Sequence, residues 1–248
     1  MVLSREDASV FTTYLGTAMV GADTQAMSYL QYYYVLALGG STISNGVANA
    51  LGGVGYLFGA LVSPGFVFLF REGGLRWALA ISSGVAGVAD KLLWIFATSP
   101  SAIVASRFFG GVSFGLSSTL GRPCATAQCA RFGFSREKTR SVQSSFTAIS
   151  AVLNLLGCAF VLAFQSEGSK STVLRADQAA ATLALTGPAI VFLVLHAVYA
   201  VVALAVIVPD EENSVLKRHA VHPFREMFGD LSNFEPSTGF GRCCALFW

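Results

Sequence analysis

Asp23, Asp90, Lys91, Arg107 and Arg122 each interrupt a stretch of mainly apolar residues. An ionisable group held in hydrocarbon is expensive, so such residues mark solute paths and proton relays and pair with one another there. The chemistry they offer is the binding of a charged group and the carriage of a proton. Arg107 and Arg122 share one expected helix. Fifteen residues at about 100° each bring the second arginine back to within about 60° of the first, about 22 Å along the axis, so both lie on one side. Asp23 and Arg107 fall in the outward half of their helices, and an ion pair between them is the expected way to remove two isolated charges from lipid. Asp90 and Lys91 are sequence neighbours that point in different directions on a helix, so each is expected to find a partner elsewhere. Snorkelling to the nearer headgroups is the alternative for both arginines, and more so for Arg122, which lies closer to a membrane edge.

Covalent chemistry has weaker support. Gly111-Val-Ser113-Phe-Gly115 matches the nucleophile-elbow pattern GxSxG, which works because a strained strand-to-helix turn exposes the serine. Here the serine sits inside an apolar helix, and a glycine face for close helix packing is the expected role. Ser113, Ser117 or Ser118 with His196 resembles the serine and histidine of a rhomboid-like intramembrane protease. The GxSG of that family is absent, and a single histidine on a helix reads as a packing residue. No enzyme and no catalytic residue are expected. The five cysteines have no metal-ligand spacing: Cys124, Cys129 and Cys158 lie in apolar stretches, and Cys243 and Cys244 are adjacent. Neither a disulfide framework nor a metal or other cofactor is expected.

The elements that must position these residues follow from composition. Of 248 residues, 54% are hydrophobic and only 12% charged, against about 25% charged in a typical soluble chain. Mean hydropathy is +0.61. The apolar blocks are uniform and helix-length, without the alternation of barrel strands, so an all-α polytopic membrane protein is expected. Six spans are predicted, at about 10–33, 43–70, 75–98, 101–129, 141–164 and 180–208, forming one transmembrane domain over 10–208. Residues 1–9 precede it, and 209–248 form a polar tail. Gly55 and Gly59 make a small-xxx-small pair expected to pack helices, and Pro64 predicts a bend. The net charge of +2 gives no reason for a nucleic-acid partner.

Six spans put both termini on one side. Arg5, Arg71, Arg76, Arg131, Arg136, Lys138, Arg140, Lys217, Arg218, Arg225 and Arg242 fall on that side, and only Lys170 and Arg175 on the other. By the positive-inside rule both termini are cytosolic. The start of the chain lacks a basic signal-peptide region, so the first helix is expected to be retained. Glu212 to Lys217 only approaches an acidic dileucine signal, which leaves the organelle open between plasma membrane and lysosome or vacuole. Cys243 and Cys244 are candidates for palmitoylation, with an inert tail as the stronger expectation.

The run from Arg107 through Gly111 to Gly115 resembles the R-x-x-x-G-x-x-x-G stretch of major facilitator superfamily transporters, and the Arg136-Glu-Lys-Thr-Arg140 loop resembles the turn that follows it there. Gly121-Arg122-Pro-Cys-Ala-Thr-Ala, Tyr29-Leu30-Gln31 and Ser63-Pro64 are similar to the lysosomal and vacuolar branch. The resemblance covers about residues 8–210 and implies a half bundle of two three-helix repeats. It further implies transport of a small polar or anionic solute, with the first and fourth helices lining the path. Asp23, Arg107 and Arg122, with Asp90 and Lys91, then belong to the substrate or proton pathway. Arg107 would attract an anionic group, and Asp23 would be its counter-ion or a proton carrier. Arg71, Gly73 and Arg76 match the family's gating loop, although Phe70 replaces its aspartate. A complete carrier has two such halves, so a second copy, a second half or a truncated product is implied. A non-transporting scaffold derived from such a carrier is the second reading. The expected partners are the lipid bilayer and a small-molecule solute.

Overall fold

A computed structural model describes residues 4–69, 74–166 and 178–208. The described residues form helices and no strand: α1 (Arg5–Ala37), α2 (Thr42–Leu69), α3 (Gly74–Ile81), α4 (Val88–Ile95), α5 (Pro100–Arg131), α6 (Arg136–Ser166) and α7 (Gln178–Val206). A π turn over Ser82–Gly87 joins α3 to α4 without breaking the rod. The all-α expectation stands. Arg71 and Gly73 of the expected gating loop, the 167–177 connection and the tail with Cys243 and Cys244 lie outside the described residues.

Local chemistry sets the helix ends. The Ser4 hydroxyl caps α1 by accepting from the Asp7 amide, and Glu6 and Asp7 place negative charge in its first turn, where the helix dipole favours it. Gly39 (φ +80°) ends α1 and Gly133 (φ +66°) ends α5. Each sits beside a reverse bond, Gly40 N–H to the Val35 carbonyl at 2.8 Å and Phe134 N–H to the Cys129 carbonyl at 2.9 Å. These are left-handed stops that only glycine adopts without steric penalty. Pro100 opens α5 after an extended Ser99, where its missing N–H has no partner to lose.

Four stretches are long and apolar enough to cross a membrane: Thr42–Gly65, Arg76–Ile95, Arg136–Ala159 and Leu185–Val206. The six-span expectation therefore stands in its coarser form, an all-helical chain with four candidate spans among the described residues. α1 and α5 are long as well but richer in polar groups, and they hold the bundle together. Along α1 they bury Ser9, Thr13, Asp23 and Gln31, and along α5 Ser106, Arg107, Ser113 and Ser117.

Small residues bring α2 and α5 together. A Cβ on Gly55 would strike the Phe108 carbonyl, and one on Gly111 or Gly115 the carbonyls of Gly52 or Tyr56. Backbones this close need glycine on both helices. The GxSxG run is thus a packing face, as expected. Gln31 of α1 ties α2 in from the other side, donating to Asn45 Oδ1 at 2.7 Å and Asn49 Oδ1 at 3.1 Å.

Two apolar clusters divide α1. One holds Val10, Tyr14 and Ala18 with Ala125, Cys129 and Phe146. The other holds Ala26, Met27, Leu30 and Tyr34 with Trp94, Leu185 and Phe192. Asp23 falls between them.

Candidate functional site: a buried charge cluster

Asp23 projects from α1 toward Lys91 of α4 and His196 of α7. Lys91 Nζ lies 2.7 Å from Asp23 Oδ1 and 2.6 Å from Asp90 Oδ2. His196 Nε2 lies 3.0 Å from Asp23 Oδ2. The other carboxylate oxygen of Asp90 accepts from the Ser106 hydroxyl of α5. The other ring nitrogen of His196, Nδ1, meets Ser83 Oγ of the π turn at 2.7 Å. One continuous chain of polar contacts therefore runs from Ser106 through Asp90, Lys91, Asp23 and His196 to Ser83. All six side chains are buried, and Asp23, the most exposed of them, reaches only 4%.

Two sequence expectations change here. Lys91 and Asp90 each find the expected partner on another helix, Asp23 and Ser106, but they also reach one another although they are helix neighbours. The long lysine stem carries its ammonium back over the carboxylate, and the wide π turn just before α4 shifts the register of that face. Asp23 pairs with Lys91 and His196 rather than with Arg107. Arg107 instead donates from Nη2 to Ser28 Oγ of α1 at 3.1 Å, and its buried Nε has no partner among the described residues. α4 and α7 supply counter-charges that reach Asp23 first.

Backbone clearance shapes the cluster. A Cβ on Gly87 would run into the His196 ring, and one on Gly110 would stand 2.8 Å from Asp90 Oδ2. Glycine at these two positions leaves room for the imidazole and the carboxylate. The Trp94 indole donates to the Leu185 carbonyl at 3.0 Å and pins α4 to α7 beside the cluster.

Two carboxylates thus face one ammonium and one imidazole. The Ser83 hydroxyl also lies 3.2 Å from the His196 carbonyl and can donate to it.

Ser83, His196 and Asp23 stand in line as a hydroxyl, an imidazole and a carboxylate, in reversed ring order compared with a serine-hydrolase triad. Lys91 already neutralises the carboxylate, and Ser83 is 1% exposed. None of the serines singled out for the protease resemblance meets His196. Ser117 bonds to Ser82 at 2.7 Å, Ser118 to the Gly115 carbonyl at 3.3 Å, and the buried Ser113 hydroxyl has no partner among the described residues. Sequence reading missed Ser83 and Ser106, and read His196 as packing. The signal in each case was a polar residue on the buried side of an apolar helix.

Arg122 lies elsewhere. It lines a cavity of about 430 Å³ with Tyr14 and with Arg140, Gln143, Ser144 and Thr147 of α6. Arg76, the described member of the expected gating loop, is half-buried with its Nε unpartnered among the described residues. Cys124, Cys129 and Cys158 form no disulfide among the described residues. No group of His, Cys, Asp and Glu among the described residues is arranged to hold a metal ion. No protein-family model matches the chain, and no curated protein matches it.

Proposed function

We propose that the chain is a secondary-active membrane transporter of the major facilitator type, working as a six-span half unit that moves a small polar or anionic solute. The observation that carries this reading is the buried cluster of Asp23, Lys91, Asp90 and His196, which joins α1, α4 and α7 to one another and reaches α5 through Ser106. Burying four ionisable groups costs several kcal/mol per ion before pairing offsets it, and apolar residues would pack the same helices at less cost. In membrane proteins such groups serve charge movement. Asp23 is the proton carrier or counter-ion in this reading, and Arg107 and Arg122 are the cationic groups along the path. α1 and α5 line that path in this reading, because they carry the buried polar residues Asp23, Gln31, Ser106 and Arg107. Both termini face the cytosol, and the second half of the carrier comes from another copy or another segment.

The test is solute and proton flux into liposomes containing the full chain. Wild type carries flux in at least one gradient, and Arg107→Gln and Asp23→Asn reduce it at least tenfold while the protein remains folded. Absence of flux in every gradient tried would sink the carrier reading.

A second reading has its own support. Each charge in the cluster is met from within the protein, as expected of a non-transporting scaffold whose polar core holds one helix arrangement. Folded variants at Asp23 and Arg107 that retain full function would favour it.

A further inference from the structure

The cavity at Arg122 stands apart from the charge cluster and has a chemistry of its own. α5 contributes Arg122, α1 contributes Tyr14, and the start of α6 contributes Arg140, Gln143, Ser144 and Thr147. Among the described residues no carboxylate lies within ion-pair distance of either guanidinium. Asp7, on the same helix as Tyr14, is engaged by Lys138 at 2.9 Å. Arg122 and Arg140, both exposed, bring two positive charges to one cavity, which favours an anion there. The Tyr14 side chain is independent support for a ligand. It is 4% exposed and stacked on Phe146 with ring centroids 4.1 Å apart, and its buried hydroxyl has no hydrogen-bond partner among the described residues. A buried hydroxyl left unpaired costs about 1–3 kcal/mol, and a ligand oxygen in the cavity would remove that cost.

We propose that this cavity binds a phosphate group carrying two negative charges, held by Arg122 and Arg140 and by the Tyr14 hydroxyl. Two guanidiniums match the charge of a phosphomonoester, and each can donate two parallel N–H bonds to its oxygens. The Ser144 and Thr147 hydroxyls on the same wall donate to the Ser141 and Gln143 carbonyls at 2.9 and 3.1 Å, so the arginines and Tyr14 carry the binding. Gln143 is already held through its amide by Thr126 Oγ1 at 3.2 Å and fixes the α6 wall against α5. The volume suits a small phosphorylated molecule. The same chemistry would hold the headgroup of phosphatidic acid, since basic pockets between membrane helices take anionic headgroups. The inference shares Arg122 with the transport reading but does not rest on it, because it concerns binding and not movement.

The test is the thermal unfolding midpoint of the full purified chain, measured in detergent with sodium phosphate against sodium chloride of equal ionic strength. A second arm uses nanodiscs of phosphatidylcholine with and without phosphatidic acid. Phosphate or phosphatidic acid is expected to raise the wild-type midpoint saturably. Arg122→Gln and Arg140→Gln each weaken the apparent affinity at least tenfold, the double variant loses the response, and Tyr14→Phe weakens it about threefold. A response to inorganic phosphate supports the site with a free solute as its source. A response to phosphatidic acid alone, lost in the double variant, supports it with the lipid as its source. Arg140 is exposed, so Arg140→Gln is expected to fold and keeps the test decisive. Two results overturn the proposal: an equal response in wild type and the double variant, or no wild-type response to either probe. Flux in liposomes is read separately, so the failure of one proposal leaves the other standing.

Discussion

His196 Nε2 stands 3.0 Å from Asp23 Oδ2 across 173 residues of chain. This contact closes the bundle between its first and last described helices, and it places an imidazole where the charge of Asp23 would otherwise face only Lys91. The first prediction follows from that balance.

Lys91→Met leaves Asp23 and Asp90 buried without their shared cation. Removing one partner of a buried pair costs about 3–5 kcal/mol. The thermal midpoint in detergent should fall steeply, and adding Asp23→Asn should recover part of the loss. Strictly additive losses in a double-mutant cycle would mean that the two residues are not coupled.

Gly87→Ala tests the clearance beside the imidazole. The added methyl collides with the ring, so His196 must turn away from both Ser83 and Asp23. Overpacking of this kind costs about 1–3 kcal/mol. The imidazole ¹⁵N resonances should lose their hydrogen-bonded shifts. Unchanged resonances and stability would count against the contact.

Ser113 and its neighbouring glycines separate packing from catalysis. Gly111→Ala pushes α5 off α2, with a loss of about 1–3 kcal/mol. Ser113→Ala removes a buried hydroxyl without a partner and should be neutral or stabilising by up to about 1 kcal/mol, because that hydroxyl loses its water and gains no bond. Marked unfolding of Ser113→Ala would show that the hydroxyl is engaged.

Asp7 gives a pH prediction outside the expected spans. The hydrogen bond from Lys138, and then that from Ser4, holds its carboxyl below its ordinary value of 3.8. A carboxyl depressed on folding contributes stability that is present above its unfolded value and lost as pH falls through the folded one. The α1–α6 contact should therefore be constant from neutral pH down to about 5 and weaken below about 4. With the two side chains 35% and 47% exposed, the contribution is at most about 1 kcal/mol and is screened by salt. Asp7→Asn should flatten the acid side of a stability–pH curve; an unaltered curve would contradict the pairing.

The all-helical character and the apolar candidate spans were legible because apolar run length and glycine or proline punctuation are local properties. Gly39, Pro100 and Gly133 end or begin helices wherever the chain around them goes. Packing at Gly55, Gly59, Gly111 and Gly115 was legible too, since small residues four apart make a smooth face on any helix. The pairing of charges was not. Asp23–Arg107 and Asp23–Lys91 are equally plausible from burial depth, and the choice rests on which helix lies against α1 at that level. α4 and α7 lie there, and Arg107 turns to Ser28.

By itself, the sequence determined that charged groups are buried among apolar helices, because each group and its flanking hydrophobicity can be read within one element. Tertiary structure alone decided that Asp23, Asp90, Lys91 and His196 form one cluster while Arg122 lines a separate cavity with Arg140. Side chains on different helices meet only when the crossings and rotations of those helices are set. These in turn depend on packing summed over the whole bundle, from the α2–α5 glycine seam to the π turn that carries Ser83 to His196.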